Sequence, residues 1–535
     1  MKVQESGTIA APRRAGASTR AAPAPAPEAP VEPDLAAHGR LKSDSVRGVI
    51  VNVGAEGGKF GLRFAYQLIM VRLLRPADFG LVAMAAPAIA FVQMFADLGL
   101  TEATIQRKDI TQAQLSFLFW VNFATGLVLA VICVAASPFV ARFYHEPRVA
   151  GVMVATGAML ALGGLYSQHQ ALMTRHMRFR SLAVLDLGSF AIGLPAGIVA
   201  ARMDAGYWSI LITQAVTSVA ANIIAWTVSG WVPGRPGRVA DMKPLLHFGG
   251  NITAFRIMNF FSHNTDSVLL GRFSGEYALG LYNRAFKITL LPFTQLCIPF
   301  TKVAAPLLSR SQAQPAFYRK AYCRMLEALL LLLYPGLIFM LLNSHTLVTV
   351  ALGPRWTGVA PIFQWLGLDA FIAPLAYSMG WLFVSQGRTT ELRDWSVPTS
   401  ILFVCAFAIG LRWGPEGIAA GYAAASFGEM SYLWRIATRT GPLRGRDFWA
   451  SLMPFLFCIA TTCVVLMGVG TWLPGTVAPR LVVSLVLAYA TFTASLAVFP
   501  RGRALLGELA SQASQRLPVS WRTAGAIRPA TEGQS

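Results

Sequence analysis

The sequence predicts an all-α polytopic membrane protein of about 14 transmembrane helices, with two six-helix lobes related by a repeat plus two C-terminal helices. Three observations predict it. Of 535 residues, 55% are hydrophobic and only 13% charged, where a soluble domain carries about 25%. Apolar runs of about twenty residues, the length that crosses a hydrocarbon core as a helix, recur along most of the chain. The short alternating segments of a closed barrel are missing. Finally, Arg63–Ala85 and His263–Ala285 share one order of helix, arginine-marked turn, Gly-Leu and new helix. Superposed, Arg72 falls on Arg272, Gly80 and Leu81 on Gly280 and Leu281, and Ala85 on Ala285. Such an internal repeat sets the architecture.

Taken in order, residues 1–47 are Ala/Pro-rich and lack an apolar signal-peptide core, so they read as a disordered cytoplasmic tail with an interfacial segment from Leu35. The N-terminal lobe, 48–230, holds spans at about 48–74, 79–104, 115–140, 149–173, 182–202 and 207–230. A cytoplasmic linker, 231–243, is rich in Pro, Gly and basic residues. The C-terminal lobe, 244–437, holds spans at about 244–271, 279–308, 325–351, 357–384, 395–411 and 416–437. An extra helix pair occupies 450–499, and 500–535 form a cytoplasmic tail.

Loops after even-numbered spans carry about twice the Lys and Arg of those after odd-numbered spans, which places the even loops and both termini in the cytoplasm. This topology accounts for most of the net charge of +20, so nucleic acid is not an expected partner. The six cysteines are scattered through apolar segments and indicate neither a disulfide framework nor a metal site. No cofactor is expected. His169 and His176 read as solvated or interfacial, and Trp208, Trp356, Trp381 and Trp434 as an interfacial belt.

Two polar stripes cross the membrane. Asn52, Glu56, Lys59, Arg63 and Gln67 share one face of span 1, and Thr253, Arg256, Asn259, His263 and Asp266 share one face of span 7. Glu56 aligns with Arg256, Lys59 with Asn259 and Arg63 with His263 under the same shift. Intramembrane charges face protein or a wet cavity and often mark a transport path. The plainer alternative is that they pair and only hold helices together. Span 8 adds Arg284 and Lys287, for which snorkelling to the interface competes with a cavity role. A cavity lined by these cations favours an anion, and a diphosphate is the membrane-compatible candidate. The expected substrate-binding residues are therefore Lys59, Arg63, Arg256, Asn259, His263, Arg284 and Lys287. Glu56 and Asp266 are candidates for ion coupling. Glycines on span 1 and Pro292, Pro299 and Pro306 on span 8 permit either close packing or bending. Motifs for nucleotide-sugar, serine-hydrolase, zinc-peptidase or phosphate-loop chemistry are missing, so no catalytic residue is assigned and the chain does not read as an enzyme.

The phrases LLRPADFGLVAM (73–84), FADLGLTEATIQRKDIT (95–111), QLSFLFWVN (114–122), NTDSVLLGRFSGEYALGLYNRAFKI (264–288) and WLFVSQGRT (381–389) resemble the polysaccharide exporters of the multidrug/oligosaccharidyl-lipid/polysaccharide superfamily, and most of all the Wzx-type flippases. The likeness runs from about Arg47 to the last span. It implies an alternating-access carrier in the bacterial inner membrane, with a cationic central cavity. The implied substrate is an undecaprenyl-diphosphate-linked oligosaccharide repeat unit for surface polysaccharide biosynthesis, and membrane lipids and other polysaccharide-assembly proteins are candidate partners. Two other readings stay open: a multidrug or cation antiporter of the same superfamily, and a membrane glycosyltransferase or polymerase. The latter needs a sizeable catalytic loop, and no loop here exceeds about twenty residues.

Overall fold

The structure, a computed structural model, describes residues 57–95, 104–105, 110–235, 243–470 and 476–516, with side chains except at 243–263, some positions within 389–396, 440, 470 and 512–516. Among these residues the chain is helical throughout, without strands. In order the helices are α1 (57–73), α2 (Pro76–Gln93), α3 (Gln112–Tyr144), α4 (Arg148–Arg175), α5 (Phe179–Arg202) and α6 (Trp208–Ser229). The stretch Lys243–Arg310 then breaks at Gly275 into α7 (243–274) and α8 (276–310). Next come α9 (Pro315–Leu342), α10 (Val359–Ser385), α11 (Thr389–Gly410), α12 (Gly414–Thr440), α13 (Gly445–Gly470), α14 (Val477–Ala497) and a trailing α15 (Pro500–Arg516).

Eleven described stretches are long and apolar enough to cross a membrane. Two are of double length: Asn264–Arg310 folds back at Gly275, and Val397–Arg439 at Leu411–Trp413. Counting those as pairs and adding α1 gives the fourteen helices expected. Gly275 has φ +82° and ψ 179°, a region open essentially only to glycine. The fold-back there lets the Tyr282 hydroxyl donate to Asp266 at 2.9 Å although sixteen residues separate them. Helix starts follow local chemistry. Pro76 opens α2 with its φ already set, and Asp78 accepts from the Arg75 N–H at 2.9 Å. Thr111 and Gln114 cap α3 reciprocally, each side chain accepting from the other's N–H.

The loops after α1, α3, α7 and α9 meet at one end. Arg148 donates to Glu146 in its own turn and, at 2.7 Å, to Glu276 beyond the Gly275 break. The Arg148 guanidinium holds the Glu146 carboxyl below the usual carboxylate range. With a lowered folded-state value, that contribution is present at neutral pH and disappears only as pH falls through it. Arg72 donates to the carbonyls of Val350 and Ala351, and the Trp356 indole donates to the Val71 carbonyl at 2.8 Å. At the centre the backbones of α2 and α8 touch. A Cβ on Gly80 would lie 1.7 Å from the Glu276 carbonyl oxygen, and one on Gly280 would lie 2.0 Å from the Pro76 carbonyl oxygen. Around this contact Leu81, Leu281, Ala85, Ala285 and Trp356 are all buried in one cluster. Small residues that let backbones approach are a usual device where lipid supplies no hydrophobic drive between helices.

At the other end the segment after α6 is strapped to the start of α3. Trp231 donates to Gln112, Gln112 to the Val232 carbonyl, Trp120 to the Gly234 carbonyl and the Gly234 N–H to Ser116. Arg178, after α4, donates to the carbonyls of Val228 and Ser229.

Several expectations change. Trp356 and Trp381 are not interfacial: they are 0% and 1% exposed, because each indole N–H finds a partner inside, Val71 O and Thr301 Oγ1 respectively. His169 is also fully buried, packed against Phe119, Trp226 and Trp231 with Nδ1 2.9 Å from Ser229 Oγ. Among the described residues, a Cβ on Gly57, Gly58 or Gly61 would meet nothing within 4 Å. Helix α8 continues through Pro292, Pro299 and Pro306. The segment from 500 onward opens as α15, with Leu505 buried.

Candidate functional site

A cavity of about 770 Å³ lies between α1–α6 and α8. Helix α1 presents Arg63, Tyr66, Gln67 and Met70 to it, a one-face spacing. Helix α8 presents Asn283, Arg284 and Lys287 one turn apart. The rest of the wall mixes apolar side chains, among them Phe79, Met159, Leu160 and Phe190, with neutral polar ones: Asn122 on α3, Thr156 and Ser167 on α4, and Thr213, Gln214, Thr217 and Ser218 on α6. Among the described lining residues three are cations and none is a carboxylate.

Arg284 is the most enclosed of the three, 5% exposed. Its guanidinium lies 3.8 Å from the centroid of the Phe79 ring and donates to Gln67 Oε1. An aromatic face and one amide satisfy a delocalised cation only in part. Its Nε has no hydrogen-bond partner among the described residues, and neither do Asn122 Nδ2 and Thr217 Oγ1 on the same wall. Arg63 sits 5.9 Å from the centroid of the Phe190 ring. Lys287 is exposed, into the cavity it lines. Tyr66 donates to Thr213 Oγ1 at 2.7 Å, tying α1 to α6 beneath the arginines. The arrangement presents positive charge beside neutral hydrogen-bonding groups, which suits an anionic group with a polar, uncharged portion attached.

Of the residues expected from the sequence, Arg63, Arg284 and Lys287 come together here. Lys59 does not line the cavity: its Nζ is 2.7 Å from Asp186 Oδ2 on α5, with the two side chains 19% and 34% exposed. Asp186 lies in a five-residue π-turn, Val184–Gly188. Such turns widen the helix and re-aim side chains, often near functional regions. Asp266, 6% exposed, accepts from the Tyr282 hydroxyl and the Ser267 N–H and lies outside the cavity lining. Glu56 and the side chains of Arg256, Asn259 and His263 lie outside the described residues. If Lys59 serves the fold through Asp186, replacing Asp186 with Asn is expected to lower stability by about 1–2 kcal/mol, as breaking a half-buried pair does. The Lys59→Met/Asp186→Met double variant should recover most of that. Thermal unfolding of the detergent-solubilised protein reads both. Failure of the double variant to recover would assign the lysine some other role.

Sequence reading missed a second cavity of about 490 Å³ between α8, α10, α11 and α12. It is lined by Asp369, Glu429, Ser426 and Tyr422 with Trp381 and Trp395, and by no Lys or Arg among the described residues. The available signal was a carboxylate in the interior of each of two apolar spans, Asp369 and Glu429, the default mark of an intramembrane site.

The family described as polysaccharide biosynthesis protein matches residues 69–361. The chain is 27% identical to the teichuronic acid biosynthesis protein TuaB of Bacillus subtilis over 61% of its own length and 68% of that protein. It is 23% identical to the lipopolysaccharide biosynthesis protein WzxC of Escherichia coli, over 78% and 86%. It is 24% identical to the succinoglycan biosynthesis transport protein ExoT of Rhizobium meliloti, over 68% and 74%. Among solved structures, the lipid II flippase MurJ superposes with a TM-score of 0.67 at 11% identity, over 84% of this chain and 99% of MurJ. An inward-facing multidrug transporter of the MATE family gives 0.54 at 12% identity, over 72% and 98%. The match over more than half its length shows that the chain belongs to the polysaccharide biosynthesis protein family, and its fold is the one seen in MurJ and in the MATE transporter.

Proposed function

We propose that this multi-pass protein of the bacterial inner membrane carries an undecaprenyl-diphosphate-linked oligosaccharide from the cytoplasmic to the periplasmic leaflet by alternating access, without covalent chemistry. The observation that carries the reading is the cavity of about 770 Å³ in which Arg63, Arg284 and Lys287 stand beside neutral amides and hydroxyls, with no carboxylate among its described lining. The cations take the diphosphate and the neutral wall takes the sugars. Relatives named for the biosynthesis of teichuronic acid, lipopolysaccharide and succinoglycan support a saccharide as cargo. Alternating access needs an end that opens and closes. The reciprocal contact of Gly80 with Glu276 and Gly280 with Pro76 is what a pseudo-two-fold relation between α1–α6 and α7–α12 would produce, and it supports both the two-lobe repeat and a closable end. On the positive-inside expectation this is the periplasmic end.

The second cavity, with Asp369 and Glu429, favours a cation for coupling, or cation antiport as the alternative activity. Cells depleted of the protein separate these readings. They are expected to lose the surface polysaccharide and to accumulate its diphosphate-linked repeat unit, with the sugar protected from periplasmic glycosidases. An unchanged lipid-linked pool together with new sensitivity to cationic drugs would decide for the antiporter.

A further inference from the structure

A second basic site, remote from the central cavity, sits where the ends of α9, α13 and α15 converge. It is a pocket of about 310 Å³ whose charged walls are Arg319, Lys320 and Arg324 from α9, Arg501 from α15, and Glu327 and Asp447. Two of the cations are committed. Arg319 lies 3.8 Å from Asp447, and Arg324 bonds Glu327 at 3.1 Å and lies 3.4 Å from Glu508. Lys320 and Arg501 have no carboxylate within ion-pair distance among the described residues. The Ser451 hydroxyl on the same wall is 2% exposed and lies beside Glu327 and Cys323.

We propose that this pocket holds the phosphate of an anionic phospholipid headgroup. Two cations without an ion-pair partner, Lys320 and Arg501, match the charge and acceptor oxygens of a phosphate. Depth fixes its source. The pocket lies in the first turns of α9 and α13 and just beyond α14, so it sits level with the headgroups at the end of three spans. Basic pockets between spans on the cytoplasmic side are sites of this kind, and this end carries the arginine-rich loops. The neighbouring face of α13 offers the chains a path, because Trp449, Met453 and Leu456 are exposed at helical spacing from the pocket downwards. Helix α15, which supplies Arg501, is bound to α9 through the Arg501 carbonyl, which accepts from Arg324 at 3.2 Å. A lipid phosphate there would clamp α15 against the bundle.

Native mass spectrometry of the full-length protein tests this, with phosphatidylglycerol, phosphatidylcholine and inorganic phosphate as probes. Phosphatidylglycerol is expected to be retained at roughly tenfold lower concentration than phosphatidylcholine, and the Lys320→Gln/Arg501→Gln variant should lose that preference. Neither side chain is paired, so this variant should fold. Millimolar inorganic phosphate should compete with the retained lipid. Equal retention of the two lipids, or full retention of phosphatidylglycerol by the double variant, would overturn the proposal. Selective binding of inorganic phosphate without lipid retention would overturn it too, and leave a site for a soluble anion.

Discussion

Replacing Gly80 with valine is expected to hold the molecule open at the end where the loops after α1, α3, α7 and α9 meet, and to abolish export. Even a methyl group there would lie 1.7 Å from the Glu276 carbonyl oxygen, a separation no packing tolerates. The opposing atom is backbone at the Gly275 break, so it cannot rotate away. Overpacking at a tight contact costs about 1–3 kcal/mol or more, which shifts a two-state equilibrium about 5- to 150-fold. Gly280→Val should behave alike, because its added atoms would strike the Pro76 carbonyl from the other side. The readout is labelling of a cysteine introduced at Asp78 by a membrane-impermeant maleimide, alongside surface polysaccharide. Normal export with unchanged labelling in both variants would remove the closable end from the mechanism.

The second large effect is expected at Arg284. Arg284→Gln should weaken binding of the lipid-linked diphosphate roughly ten- to hundredfold, since charge-assisted hydrogen bonds contribute about 1.5–3 kcal/mol. Arg284→Lys should rescue little, because an ammonium neither stacks on Phe79 nor offers a planar fork of donors. Membrane insertion should be unharmed, as the substitution removes a poorly satisfied buried cation and leaves no stranded carboxylate behind. Affinity of the purified variants for a short-chain polyprenyl diphosphate separates the two roles. Equal affinity of wild type and Arg284→Gln, with a lowered unfolding temperature, would make the arginine a packing residue only.

Much of the fold was legible because the membrane permits few solutions. Apolar runs located the helices, the arginine-marked turns of the repeat fall at the reversals before α2 and at Gly275, and the repeat singled out Gly80 and Gly280, which meet the opposing backbones. The site was legible in part. Helical spacing grouped Arg284 with Lys287, and the two line one cavity with Arg63, but spacing cannot say what stands opposite a given turn. Lys59 shares the stripe with Arg63, yet Asp186 captures it from α5, and the π-turn carrying Asp186 breaks the very periodicity that sequence reading uses. The same limit misplaced Trp356, Trp381 and His169. Aromatic residues near span ends are interfacial on average, but those with a hydrogen-bond partner inside go inside.

The strap that binds Trp231–Gly234 to α3 also sets a mechanical limit. Because the chain is tied down as far as Gly234, nine peptide links separate that anchor from Lys243, where α7 begins. Nine links at roughly 3.3–3.6 Å each span at most about 30–32 Å. However the bundle rocks, the start of α7 stays within that leash of the start of α3. On the proposed alternating access, the strap bounds how far the edge between α6 and α7 can part, and so how broad a cargo head group could pass along that edge.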